Sequence, residues 1–366
     1  MKKINQMEPL YGKAEKEAVA KYLDSGAWLM EHKKTRELEQ MICDRTGSKY
    51  CHMMPNGTLT LMAGLKALGV DFGDEVIVPD YTIIASATCA SYIGAKPVFV
   101  DVEPETFAID VNHLKQSITE KTAAIVLVHM NARPARDWVE IFDLAQEKGI
   151  PIVEDSAQCL GSYYNCEEAK IHMGTLGAVG SFSFSMSKII TMGCGGAVIT
   201  DDEDISNEIK LMKNFGRLHG GRDVNIYPGI DLKFNDTQAV IGIEQMKTLD
   251  WRIKRKKEMY TLFKEQLEDV VGFVKTDLKY TCPWMHDIML DNPEQREKLI
   301  KHLKSKGIET RKFYPAIHSQ EAYAVKGTRY YVAGHISKRG LFLPSALTLT
   351  DEDIMYVCNE VKKGLK

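Results

Sequence analysis

Residues 152–201 read IVEDSAQCLGSYYNCEEAKIHMGTLGAVGSFSFSMSKIITMGCGGAVITD. An acidic pair, a run that alternates Ser with Phe, and a single lysine before a glycine turn succeed one another in it. The apolar residues Ile152 and Val153 lead into Glu154 and Asp155, the pattern of a buried strand that delivers a carboxylate at its carboxyl end. Residues 181–185 alternate with a period of two, so a second strand is predicted there. Lys188 follows within a few residues. A carboxylate and an amine are thereby presented on one edge of one sheet.

That pair has a chemical use. Pyridoxal phosphate needs an amine for its aldehyde, a carboxylate for its ring nitrogen, and hydroxyls or backbone amides for its phosphate. Lys188 is the candidate for the covalent attachment, which makes exchange with a substrate amine faster than attack on a free carbonyl. Asp155 is the candidate for the ring nitrogen, because an opposite charge there favours the protonated, electron-accepting form. Phosphate is commonly held by N–H groups at a helix start. Asn56, Gly57 and Thr58 offer such a start, since residues 59–68 carry the apolar periodicity of a helix. Read in isolation, Asp155 could equally cap a helix, and Asn56 with Thr58 could be an ordinary N-cap pair.

Outward from this stretch, apolar runs at 76–78, 97–100, 124–129, 151–153, 180–184 and 197–200 read as strands. Helical patterns such as 136–148 lie between several of them. The alternation predicts an α/β fold with a large, mostly parallel sheet covered on both faces. This large domain is set at residues 1–246. A helical pattern over 236–267 carries the chain outward. Residues 247–366, with short runs at 271–274 and 285–290 and helices at 293–306 and 351–363, are expected to form a small α+β domain.

The 366 residues, 44% of them hydrophobic, are enough to bury large cores. A net charge of −3 gives no general pull toward nucleic acid or an anionic membrane surface. Eight scattered cysteines without CxxC spacing, after a polar start, point to free thiols in a reducing cytoplasm. No apolar stretch has the length of a membrane span. Cys282 and His286 lack a second ligand pair, so no metal site is expected. Gly193, Gly195 and Gly196 do not complete a dinucleotide-binding motif. In the loop RLHGGR, residues 217–222, Arg217 could grip phosphate oxygens in a forked geometry.

The blocks SGAWLMEHKKTRELEQ, PNGTLTL, GDEVIVPDYT, GAKPVFVDVEPET, VEDSAQCLGS, FSFSMSK, GGAVITDDE, QAVIGIEQM, GIETRKFYPAIH and SKRGLFLPS occur in this order. In them the chain resembles the sugar-nucleotide aminotransferases of the DegT family, which share the aspartate aminotransferase-like fold type I of pyridoxal phosphate enzymes. The resemblance implies that Lys188 binds the cofactor aldehyde, that Asp155 pairs with the pyridine nitrogen and that Gln158 approaches the ring hydroxyl. Ser183, Gly57 and Thr58 would hold the phosphate. Trp28, Arg311, Tyr314, His318, Ser337 and Arg339 lie in blocks that approach the sugar nucleotide in similar proteins. A homodimer with a shared active site is implied as well.

The implied activity is transfer of an amino group from glutamate to a nucleotide-linked 4-keto-6-deoxy sugar. TRELEQ, PNGTLTL, RKFYPAIH and SKRGLFLPS are most similar to enzymes that make GDP-perosamine from GDP-4-keto-6-deoxymannose. A UDP- or dTDP-linked acceptor is the alternative within the class. Lys188 argues against a sugar 3-dehydratase, which has histidine there. A non-catalytic binding or sensor protein is the alternative of another class, supported best by Ile83 and Asp231 among three departures. Ile83 stands where relatives stack an aromatic ring on the pyridine, Asp231 where they often place Asn, and Asn131–Ala132 where they often have Tyr-Gly.

Overall fold

The computed structural model describes residues 3–218, 223–324 and 330–366. At its centre is a seven-stranded sheet built from β1 (Tyr50–Met54), β2 (Glu75–Pro79), β3 (Lys96–Val100), β4 (Thr122–Val128), β5 (Ile152–Asp155), β6 (Val179–Ser183) and β7 (Gly196–Thr200). Their order is β1-β7-β6-β5-β4-β2-β3. Strands β2 to β6 pair in parallel, whereas β7 runs antiparallel to both β6 and β1. β1 therefore points the same way as β6, and the carboxyl ends of six strands share one edge. In an open α/β sheet that edge is where ligands bind.

Val, Ile, Leu and Ala dominate β2 and β4, whereas β5 ends in two acids and β6 reads VGSFS. Residues 124–128 of β4 and all of β5 and β7 are buried, as a sheet covered on both faces requires. The register fixes one contact of consequence. Gly196 pairs with Met54 of β1 on one side and Ser183 of β6 on the other. The chain turns from Met54 into the helix Gly57–Ala67 directly above it, and a Cβ on Gly196 would lie 2.6 Å from the carbonyl carbon of Asn56.

A second sheet of β8 (Gly272–Phe273), β9 (His286–Met289), β10 (Arg311–Lys312) and β11 (Gly340–Leu343) is antiparallel throughout, in the order β10-β11-β9-β8. Side chains alternate across its faces. Leu341 and Leu343 pack with Phe263, Leu299 and Val357 of the helices Leu249–Leu267, Pro293–Ser305 and Asp351–Gly364. Phe342 between them faces the other way and joins the cluster that contains Tyr81, Trp284 and Phe313. The first residues of the chain also lie here, since Ile4 forms a parallel bridge to Ile308. No helix among the described residues is long and apolar enough to cross a membrane.

Two expectations need correction. The helical pattern over 236–267 is two helices, Asp236–Lys247 and Leu249–Leu267, separated at Thr248 with φ −105° and ψ 5°. Buried polar groups on both sides of the break hold the first residues of the chain: Gln245 Nε2 donates to the Leu10 carbonyl at 3.0 Å, and Arg252 Nη2 to the same oxygen at 3.2 Å. β1 was not expected as a strand. Its sequence YCHMM has no β-branched residue, and His52 in it is buried with Nε2 2.9 Å from Ser206 Oγ.

Gly180 in β6 has no room for a side chain, because a Cβ there would lie 2.0 Å from the Gly174 carbonyl oxygen. Gly180→Ala is expected to lower stability by about 3 kcal/mol, measured by urea denaturation. An unchanged midpoint would contradict this packing.

Candidate active site

Neighbouring residues on a strand face opposite ways, and Glu154 and Asp155 illustrate the consequence. Glu154 is sealed in. It accepts the N–H groups of Gly174, Leu176 and Gly177 at 2.7, 2.7 and 2.6 Å, the Tyr164 hydroxyl at 2.6 Å, and lies 2.9 Å from His129 Nε2. Burial would raise its pKa, but His129, Tyr164 and the backbone donors together hold it below the ordinary carboxylate value. Glu154 thus pins the loop between β5 and β6. Asp155 ends β5 at the ligand edge, where Oδ2 accepts Ser86 Oγ at 2.7 Å and Oδ1 accepts the Ala157 N–H at 3.2 Å. Ser86 is steadied in turn by Thr82 Oγ1 at 3.0 Å. The carboxylate is held in place with acceptor capacity to spare.

Lys188 sits in the turn after β6, half-buried, with its N–H bonded to the Ser185 carbonyl at 3.0 Å. Its Nζ lies 4.1 Å from the ring centroid of Trp284, whose Nε1 donates to the Ser187 carbonyl at 2.7 Å. Burial pushes the amine down to about 8. Arg311 pushes in the same direction, while Asp155 and Cys159 oppose. No ion pair to Lys188 is formed among the described residues. Such an amine is partly neutral near neutral pH, which suits it both to attack a carbonyl and to move protons.

Asn56 caps the helix Gly57–Ala67, its side chain accepting the Leu59 N–H at 3.0 Å. That oxygen is engaged within the helix, whereas the first-turn N–H groups beside Gly57 and Thr58 point outward. Gly57 lies against the end of β6, since a Cβ on it would stand 2.9 Å from Ser183 Cβ. Gly57 and Ser183 therefore meet at a helix amino terminus in which Thr58 is the next residue, and a helix start of this kind can accept a phosphate. Gln158 accepts the Asn131 N–H at 2.6 Å through Oε1, which leaves its amide nitrogen free to donate. Asn131 and Ala132 take left-handed backbone angles (φ 53° and 61°), held by bonds from the Asn131 side chain to the Met285 backbone at 2.7 and 2.8 Å.

Of the residues expected at the substrate, Arg311 and Tyr314 belong to this neighbourhood. The Arg311 guanidinium lies 5.1 Å over the Tyr314 ring and its charge acts on Lys188. Tyr314 is pushed up to about 12 by burial, with Arg311 opposing and Asp155 adding. His318 is committed to Asp80: Nδ1 lies 2.5 Å from Oδ2, and its backbone N–H donates to Oδ1 at 2.8 Å. Burial raises the Asp80 carboxyl and His318 opposes. Arg339 does not join the cluster, because Nε donates to the Leu290 carbonyl at 2.6 Å and Nη1 contacts His335. Ser337 bonds to the Gly334 carbonyl at 3.1 Å.

Trp28, 67% exposed, and Arg217 line a separate pocket of about 800 Å³ with Lys49, His52, Lys210 and Lys233. Within one chain they are not brought to Lys188. Residues 219–222 of the RLHGGR loop lie outside the described residues. Ile83 is 37% exposed in the turn after β2. Asp231 is exposed and accepts the Lys233 N–H at 3.2 Å. Sequence reasoning missed Ser86, Asp80 and Trp284. None of the three carried a signal in its local sequence.

The family model described as the DegT/DnrJ/EryC1/StrS aminotransferase family matches residues 9–362. A GDP-perosamine synthase of Escherichia coli O157:H7 is 33% identical over 365 residues, spanning 99% of each chain. The solved aminotransferase TlmJ of Streptoalloteichus hindustanus superposes with a TM-score of 0.92 at 28% identity, over 100% of this chain and 99% of that one. The PLP form of Spr1654 from Streptococcus pneumoniae, named as a sugar aminotransferase, gives 0.92 at 25% identity over 100% of both. With its mostly parallel seven-stranded sheet, this is the fold type I architecture of pyridoxal phosphate enzymes. The chain belongs to the DegT/DnrJ/EryC1/StrS aminotransferase family. It is a pyridoxal phosphate-dependent sugar aminotransferase, and an unpaired amine, a steadied carboxylate and a glycine-lined helix start fit that cofactor.

Two measurements check this geometry. Acylation of Lys188 in cofactor-free protein, followed by peptide mass spectrometry, is expected to rise about tenfold per pH unit and level off near pH 8. A rise continuing to pH 10 would mean an ordinary lysine. His318→Ala strips the buried Asp80 of its partner and is expected to cost roughly 3 kcal/mol in urea denaturation; a stability unchanged at pH 7 would show that the pair is not structural.

Proposed function

We propose that this enzyme transfers the amino group of glutamate to a nucleotide-linked 4-keto-6-deoxy sugar, with GDP-4-keto-6-deoxymannose as acceptor and GDP-perosamine as product. The likeness to the E. coli GDP-perosamine synthase over almost the whole chain supports this acceptor. The observation that carries the chemistry is the Lys188 amine, set over the Trp284 ring and pushed down to about 8, with the Asp155 carboxylate close enough for its charge to act on it.

When bound, pyridoxal phosphate supplies an aldehyde that carries nitrogen from donor to acceptor and a protonated ring that takes up electrons. Lys188 would take the covalent attachment. Its amine would remove and return a proton at the reacting carbon, a role for which a pKa near the working pH is favourable. Asp155, fixed by Ser86 and the Ala157 N–H, would pair with the ring nitrogen and keep it protonated. Gln158 would donate to the ring hydroxyl, and Gly57, Thr58 and Ser183 would hold the phosphate. Arg311 and Tyr314 face the sugar nucleotide, with His318 ordering their loop through Asp80.

In this reading the enzyme is a cytoplasmic homodimer with shared active sites. The separation of Trp28 and Arg217 from Lys188 within one chain supports sharing, since both can then serve the partner's site. Residues 1–246 form the cofactor-binding domain and residues 247–366 the smaller one.

Incubation with glutamate and a panel of GDP-, UDP- and dTDP-linked 4-keto sugars, read by mass spectrometry, is expected to give an aminated product with the GDP sugar first. Lys188→Ala should lower turnover by about 10³-fold or more. Amination of only a UDP- or dTDP-linked sugar would replace the proposed acceptor. A wild-type protein that stays colourless with added pyridoxal phosphate would instead favour a binding protein.

A further inference from the structure

Trp284 has no assigned role, yet its ring face and its N–H are both directed at Lys188 and the residue before it. Its ring is 4% exposed and backed by Phe342, with centroids 6.3 Å apart. One face lies under the Lys188 Nζ at 4.1 Å. Its N–H is bonded to the carbonyl of Ser187, the residue before that lysine, at 2.7 Å. Its own carbonyl accepts a bond at 2.9 Å from Lys256, a buried amine that also reaches the Ser345 carbonyl. The indole is thus held by its N–H at one edge, its backbone is anchored by Lys256, and one face is turned to Lys188.

We propose that Trp284 is a positioning residue for Lys188: its indole face is the resting place of the Lys188 ammonium whenever that amine is detached from the cofactor, and its N–H fixes the backbone that carries the lysine. This rests on the reading that Lys188 takes the cofactor.

The physical reason is that an ammonium withdrawn from water needs negative potential at contact distance. The titratable groups that act on Lys188 are Asp155 at the end of β5, Cys159 in the turn beyond it and Arg311 on β10. None of them forms an ion pair with it among the described residues, and Arg311 repels it. The aromatic face supplies the attraction instead. An ion pair would hold the amine charged and far from its task, whereas a ring face holds it near the site and releases it readily. Trp284 sits just before β9 of the small sheet, so the contact also ties that layer to the lysine of the large one.

The test is the pH dependence of Lys188 acylation in full-length protein freed of cofactor, read by peptide mass spectrometry. Trp284→Phe keeps a weaker ring and lacks the N–H. Substitution of Trp284 by singly, doubly and triply fluorinated tryptophans keeps the shape and the N–H while draining the ring's negative face. Removing that attraction disfavours the charged amine, so the midpoint is expected to fall stepwise with each fluorine, by roughly one pH unit in total, and to fall in Trp284→Phe as well. A midpoint that ignores fluorination in folded protein overturns the proposal. Pyridoxal phosphate is added in a parallel series: protection of Lys188 upholds the cofactor reading, and its absence overturns that reading whatever the midpoint does.

Discussion

The rest of the site depends on a lysine amine held where water cannot fully solvate it. A fall of the Lys188 pKa from 10.5 to about 8 corresponds to roughly 3 kcal/mol against the charged form. Such a cost persists only if the surrounding structure enforces it, and here it is enforced by burial in the turn after β6 and by the Arg311 charge, with the Trp284 ring face returning part of it. Lys256 is pushed down to about 8 by the same cause, but its amine is bound to two backbone carbonyls. Desolvation alone does not make a reactive lysine. The absence of a hydrogen-bonding cage does.

Sheet topology then brings the other groups to that amine. Because β7 is the one strand that runs against the rest, Met54 and Ser183 flank Gly196, and the helix start at Gly57 falls beside the end of β6. Glycine at 57 and 196 is a packing requirement rather than a matter of flexibility, since a Cβ at either would press on the opposite chain. Asp155 ends the adjacent strand. One edge of one sheet therefore carries the amine, the acid and the glycine-lined helix start, each from a different segment of sequence.

Much of this was legible in the chain itself. The strands β2, β4 and β7 are largely apolar and β-branched, the mark that burial on both faces leaves, while β6 shows itself by the alternation of Ser with Phe. Asp155 and Lys188 stood out because both close strand patterns within one block. What escaped reading lacked a local cause. The break at Thr248 has neither glycine nor proline and follows from contacts of Gln245 and Arg252 with the start of the chain. Ser86 meets Asp155 from 69 residues away and Trp284 meets Ser187 from 97, so no periodicity or spacing could announce them. Of the two acids at the end of β5, the sequence could not say which was structural; the five groups around Glu154 decide it.

The account is tested most directly by locating the cofactor. Protein reconstituted with pyridoxal phosphate, reduced with borohydride and digested, is expected to carry the pyridoxyl group on Lys188 alone. Label on Lys256 or on surface lysines, with Lys188 unmodified, would contradict the central claim.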